Sequence, residues 1–227
     1  MGRDPLSRSS RCLHDGEHAH APRAGRRSAR ALARARAEAP EGPGLSARAV
    51  VLAPGYGGDD RQPILRALAA RLAKDGIAAR AVTFSTRGSR PSRAYERELA
   101  DLRGARERLR EEGAERIALV GRSFGGRMCA FLARAEPPDA LAILGHPIAP
   151  PGRPRTDDEA ALEAVACPTL VVQGERDELG PLGVLERIAG RNPRIDLVVI
   201  AGAGHDFGAA EPEAVEAAAR WLDSILR

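Results

Sequence analysis

The sequence predicts a doubly wound α/β fold over residues 46–227, with a mostly parallel six-stranded sheet covered by helices on both faces. Three observations predict it. Short runs rich in Val, Ile, Leu and Ala recur from residue 48 onward, and each is followed by a longer segment whose charged residues fall on one helical face. The runs are nearly continuous in apolar character, as strands buried on both sides require. Strands 48–53, 77–84, 116–121, 140–145, 169–173 and 195–201 therefore alternate with helices 62–74, 93–112, 124–135, 156–165, 182–191 and 212–226. Pro63 and Pro212 near the starts of the first and last helices, and Thr156 at the start of the fourth, mark helix beginnings. Parallel strands joined in this way cross over right-handedly, and ligands then bind outside the carboxyl ends of the strands.

At 227 residues the chain has room for one sizeable domain and a tail. Its longest apolar stretches are far shorter than the roughly 20 residues of a membrane-spanning helix, so no membrane partner is expected. Aromatic residues make up 3% of the chain, leaving an aliphatic core. The basic pI of about 9.5 suggests nucleic-acid binding until the charges are divided by region. Residues 1–45 carry nine Arg against five Asp and Glu, and residues 46–227 are balanced, so the net charge of +4 sits in the tail. A balanced domain offers no footprint for phosphate backbones, and no nucleic-acid partner is expected. The preference for Arg over a single lysine, Lys74, reads as a GC-rich coding bias.

Cys12, Cys129 and Cys167 form no closed set of pairs and no Cys-x-x-Cys spacing, which favours a reducing, cytoplasmic setting. Arg, His and Asp interrupt any secretory core in the first thirty residues, and the acidic residues of the tail argue against a transit peptide. Residues 1–45 are expected to be a disordered or non-native extension, with His14, His18 and His20 solvated rather than holding metal. No metal or cofactor is expected.

After the third strand the chain reads Gly121-Arg122-Ser123-Phe124-Gly125-Gly126, a Gly-x-Ser-x-Gly between strand and helix. Such a sharp turn projects a serine hydroxyl clear of the backbone, and its glycines prevent collision between strand and helix. A serine needs an adjacent base to attack at neutral pH. His205, on the loop after the last strand, supplies it, and the carboxylate that fixes its tautomer is expected from the loop after the fifth strand. Asp177 is the choice there, with Glu175 and Glu178 as competitors. Oxyanion donors are expected from Phe124 N–H and from Tyr56 N–H in the glycine-rich loop Pro54-Gly55-Tyr56-Gly57-Gly58, which lacks the pattern of a nucleotide-binding loop.

The segments 54–58, 121–126, 174–177 and 204–205 resemble the α/β-hydrolase superfamily over residues 48–227. More narrowly, 120–128, Leu144-Gly-His-Pro147 with 150–154, and 173–177 are similar to small dienelactone-hydrolase-like proteins. That group includes the hydrolase-like domain of a non-specific-lethal chromatin complex subunit and its testis-expressed relatives. The resemblance implies a Ser-Asp-His hydrolase fold and the chain order Ser123, Asp177, His205. The nucleophile position holds serine where dienelactone hydrolase has cysteine, and the usual first antiparallel strands are missing unless residues 28–46 supply them.

Only fifty-three residues separate Ser123 from Asp177, which leaves no room for a lid domain and predicts an open, shallow pocket. Gly57, Arg122, His146, Arg153 and Arg155 are the expected lining residues. Arg122 would shape the entrance, while His146, Arg153 and Arg155 would favour an anionic substrate, the other reading being a solvated loop. Cys129 is read as a small buried hydrophobe. The sequence thus points to a serine hydrolase acting on a small ester or thioester, with a homo-oligomer left open. The rival reading is a non-catalytic domain of the same fold that binds a protein partner.

Overall fold

The structure, a computed structural model, describes residues 46–227; the tail, with its expected disorder, and residues 28–45 lie outside the described residues. Six strands appear in chain order, β1 (Arg48–Ala53), β2 (Ala78–Ala81), β3 (Arg116–Arg122), β4 (Ala140–Leu144), β5 (Thr169–Gly174) and β6 (Ile195–Ile200). The helices are α1 (Pro63–Ala73), α2 (Glu96–Glu111), α3 (Phe124–Ala135), α4 (Thr156–Glu163), α5 (Leu182–Arg191) and α6 (Glu211–Leu226). The sheet order is β2-β1-β3-β4-β5-β6, and every neighbouring pair is parallel.

Alternation along the strands builds two cores. Val50 and Leu52 of β1, Ala118 and Val120 of β3, and Ala140, Ala142 and Leu144 of β4 face α1 and α6, where Leu65, Leu68, Ala218 and Leu222 are fully buried. Val51, Leu119, Leu141 and Ile143 project the other way, against Leu102 of α2, Met128 and Leu132 of α3, Leu162 of α4 and Ile188 of α5. Each fully buried Leu or Ile contributes roughly 1.5–3 kcal/mol by leaving water.

The strand order places the crevice. From β1 the chain moves through α1 to β2 on one side, then crosses to β3 on the other, so the carboxyl ends of β1 and β3 part their connections and leave a ligand-sized gap. Ala53 pairs in register with Gly121, which sets the loop after β1 beside the turn after β3.

Two predicted elements each lose three residues at one end. The strand predicted over 77–84 ends at Ala81, because Val82 makes a last ladder bond to Leu52 O (2.9 Å) and Thr83 then turns to meet Asp60 (3.1 Å). Phe84 is apolar because it enters the core, not because it pairs, and Val82 does both. The helix predicted from residue 93 begins at Glu96: Arg93–Tyr95 form a 3₁₀ turn in which Ala94 and Tyr95 take positive φ. The buried Glu98 carboxylate enforces this bend by accepting the Thr86 hydroxyl (2.6 Å), Ser92 N–H (3.0 Å) and the Ser92 hydroxyl. Burial alone would raise that carboxyl, but the Ser92 and Thr86 hydrogen bonds outweigh it and hold the group below its ordinary value.

A buried ion pair fastens α4 to α3. Arg127 reaches Asp158 with two nitrogens, one of them Nη2 at 3.0 Å from Oδ2. Burial would lower the guanidinium, but Asp158 more than compensates and leaves it above its usual range. Its Nη2 also donates to the Tyr95 hydroxyl (3.0 Å).

These contacts set three expectations for urea unfolding. A methyl group on Gly125 would run into the backbone carbonyls of Ala53 and Pro54, so Gly125→Ala should cost about 3 kcal/mol or more, or prevent folding. Gly104, in mid-α2, would meet only the end of Arg108 at 3.6 Å, and Gly104→Ala should stabilise by up to about 1 kcal/mol. Asp158→Ala leaves a buried guanidinium unpaired and should cost roughly 3–5 kcal/mol, whereas the double change Arg127→Met/Asp158→Leu should recover most of that loss.

Candidate active site

Ser123 occupies the turn between β3 and α3 with φ 51° and ψ −113°, a conformation that side chains seldom adopt. Close packing holds it there. A Cβ on Gly121 would overlap the backbone of Gly125 and Gly126, and one on Gly126 would overlap the Ile143 side chain. Ser123 N–H donates to Leu144 O (3.0 Å), and Ser123 O accepts Arg127 N–H (3.1 Å). Backbone strain of this kind costs on the order of 1–3 kcal/mol and persists only where neighbours over-determine it.

His205 and Asp177 meet at this turn. The Ser123 hydroxyl lies 2.8 Å from His205 Nε2, and His205 Nδ1 lies 2.7 Å from Asp177 Oδ2. A carboxylate facing Nδ1 puts the ring proton on Nδ1, which leaves Nε2 as the acceptor for the Ser123 O–H. Asp177 is buried and has two further donors: Gln173 Nε2 gives to Oδ2 (2.7 Å) and Leu179 N–H to Oδ1 (2.9 Å). The two loops touch because Gly174 is bare: a Cβ there would overlap the Ala203 and Gly204 carbonyls.

The loop after β1 runs alongside. A Cβ on Gly55 would sit 3.7 Å from Ser123 Cβ. Gly55 N–H gives to Gln62 Oε1 (2.9 Å) and Gly58 N–H to Gly55 O (3.0 Å), whereas Tyr56 N–H and Phe124 N–H have no acceptor among the described residues. Gly57 takes a φ of 72°. Two cavities of about 470 Å³ flank the Tyr56 and Phe124 rings, which meet edge to face at 5.9 Å. One holds Ser123 with Arg127, Pro147, Arg153, Arg155 and Leu179 on its wall. The other runs past Gly57 and along the loop from Phe84 to Pro91.

Arg153 and Arg155 thus border the cavity beside Ser123. Arg155 is half-buried, donates to Pro147 O (2.7 Å), and neither arginine has a carboxylate partner among the described residues. Burial, then the charge of Arg127, pulls the Arg155 guanidinium below its usual range.

Two expected lining residues take other places. Arg122 does not shape the entrance: successive side chains of a strand point to opposite sides, and its guanidinium is buried beneath the His205 loop. His146 is fully buried between β4 and the loop after β5, with neither ring nitrogen hydrogen-bonded among the described residues. Burial, followed by the charges of Arg127 and Arg155, pulls its pKa down to about 3, so the ring is neutral. Cys129 is fully buried and its thiol is pushed up by desolvation, leaving it without nucleophilic character.

Gln173, Gln62, Arg127, Tyr95 and Leu179 are site residues that sequence reasoning passed over. Only Gln173 left a readable sign, a polar amide closing an otherwise apolar strand run.

No curated protein matches the chain. Among solved structures, a putative hydrolase of the alpha/beta superfamily from Xanthomonas campestris pv. campestris is 25% identical, with 78% of this chain and 99% of that one covered at a TM-score of 0.61. Dienelactone hydrolase from Anabaena variabilis is 23% identical, with 79% and 87% covered and a TM-score of 0.66. Est1E from Butyrivibrio proteoclasticus, in its complex with ferulic acid, is 16% identical, with 77% and 88% covered and a TM-score of 0.68. The family model described as alpha/beta hydrolase domain matches residues 46–225, nearly the whole of the described sheet and helices, and the chain belongs to that family.

Proposed function

We propose that the protein is a serine hydrolase that cleaves a small ester or thioester through an acyl-enzyme. The observation that carries this reading is the hydrogen-bonded chain from Ser123 through His205 to Asp177, at 2.8 and 2.7 Å, on a strained turn at the mouth of a cavity.

In the first half-reaction His205 Nε2 takes the hydroxyl proton as Ser123 Oγ bonds to the substrate carbonyl carbon. The carbonyl π pair moves onto oxygen, where Phe124 N–H and Tyr56 N–H donate; the N-terminal end of α3 adds its positive pole. The intermediate collapses, the bond to the alcohol or thiol breaks, and the imidazolium returns its proton to the departing group. Water repeats the sequence on the acyl-enzyme and releases the acid and free Ser123. Asp177, held by Gln173 and Leu179, keeps the imidazole oriented and stabilises its transient charge.

The cavity volume of about 470 Å³ suits a small substrate. Tyr56, Phe124, Pro147 and Leu179 give it apolar contact, and the unpaired Arg153 and Arg155 favour a substrate that carries a negative charge away from the scissile bond.

Ser123→Ala should lower p-nitrophenyl acetate turnover by roughly four to six orders of magnitude and abolish fluorophosphonate labelling, with the urea midpoint unchanged. Turnover retained in that variant would overturn the assignment. An intact parent protein that neither turns over the ester nor reacts with the probe would point instead to a binding domain. Replacing Arg153 and Arg155 together by Gln should raise KM for a p-nitrophenyl hemisuccinate about three- to tenfold while leaving the neutral acetate unaffected.

A further inference from the structure

Among the described residues, Arg122 is a buried cation without a counter-ion. Its guanidinium is 6% exposed as a residue and takes part in no ion pair among the described residues; burial lowers its proton affinity, while Asp177, Asp206 and Glu211 offset this from a distance. Instead of a carboxylate it has carbonyls and a ring. Nη2 donates to His205 O (2.7 Å), Nη1 donates to Leu144 O (3.2 Å) with Gly145 O at 3.5 Å, and the carbon of the group lies 5.7 Å from the centre of the Phe207 ring. Nη1 also stands 3.2 Å from His205 Nε2, the nitrogen that faces Ser123.

The surroundings are shaped around this group. Gly145 takes a φ of 64°, and a Cβ there would come within 2.8 Å of Arg122 Nη1 and 2.9 Å of His205 O. Any larger residue at 145 would push the guanidinium off the histidine loop. An apolar side chain would fill the same volume without the cost of burying a charge, so packing alone does not account for an arginine here.

We propose that Arg122 is a positioning residue for the base: it anchors the His205 loop through the His205 carbonyl and holds the imidazole in its neutral, proton-accepting form. This deepens the serine-hydrolase reading and rests on it. A guanidinium has only N–H donors, so its approach to Nε2 is favourable when that nitrogen presents a lone pair and unfavourable when it carries a proton. The contact therefore works with Asp177 to fix one tautomer, and works against Asp177 once the ring is charged. After the base takes the Ser123 proton, the neighbouring cation makes the imidazolium a readier donor to the leaving group.

Several groups face His205 from the elements around it. Asp177 comes from the loop after β5, Arg122 from the end of β3 and buried neutral His146 from the loop after β4, while Asp206, on the same loop as His205, and Glu211, at the start of α6, act on Arg122. Of these, only Arg122 combines a fixed positive charge with contact to Nε2. Removing a like charge raises the pKa of a protonated base, so the acid limb of the activity profile should move to higher pH when Arg122 is neutralised.

The test compares Arg122→Gln and Arg122→Met, which drop the charge, with Arg122→Lys, which keeps it without the planar fork. In kcat/KM for p-nitrophenyl acetate the acid limb should rise by about one pH unit in the neutral variants and stay near the parent in Arg122→Lys, while kcat falls in all three as the His205 loop loosens. Uniform loss at every pH, with the limb unmoved in the neutral variants, would reduce Arg122 to a packing role and overturn the proposal. The imidazole is also titrated by NMR in Ser123→Ala protein with and without each change. The same upward shift of about one unit is expected there even if the parent hydrolyses nothing, and its absence overturns the proposal independently of the hydrolase reading.

Discussion

The contact on which the rest of the site depends is the approach of α3 to β3 and β1. Gly121, Gly125 and Gly126 let the helix begin against strand backbone, with no side chain between them. That approach forces Ser123 into positive φ, lifts its hydroxyl above the sheet, and points the free amides at the start of α3 toward the same space. The register between β1 and β3 then brings Gly55 and Tyr56 alongside. A single packing constraint thus positions both the proposed nucleophile and its proposed oxyanion donors.

Charge is handled differently on the two sides of this turn. On the α3 side Arg127 is closed off by Asp158 and Tyr95, so its cation is spent on holding α4 in place. On the β3 side Arg122 has, among the described residues, only carbonyls, a phenyl ring and the imidazole of His205 around it. The paired guanidinium can be explained by packing, since replacing both partners by apolar groups is often tolerated. The unpaired one cannot, and for that reason its charge is read as bearing on the chemistry.

The parts of the fold and site that were legible in the sequence are those written by local rules. The six strands and six helices follow from apolar runs and helical spacing, and β2 and α2 depart from the reading only where Phe84 and Glu98 make tertiary contacts that no local pattern contains. Ser123, Asp177 and His205 were legible because each stands on a loop at a strand end, with glycines near Ser123 and Asp177 that permit close approach. The directions of side chains were not. Arg122 sits beside the serine in sequence and points beneath the histidine loop in space, and His146 follows the end of a strand yet is sealed by the chain around Gly180, whose α-carbon faces the His146 carbonyl. Gln173, too, gains its meaning only from the Asp177 carboxylate that it holds.

The depth of each group separates what fixes the site from what borders it. The Asp177 side chain is fully buried and locked by Gln173 and the Leu179 amide, so its geometry does not wait on substrate. His205 is about one quarter exposed, and Ser123 opens onto the cavity. Orientation is thus fixed from beneath, by strand ends, while the upper wall belongs to loops: Phe84 to Pro91, tied down by Glu98, and Pro147 to Arg155, which carries the unpaired arginines. Changes in those loops alter what the cavity accepts without disturbing the hydrogen-bonded chain below it. With the proposed catalytic groups resting on the sheet, substrate selection falls to the rim.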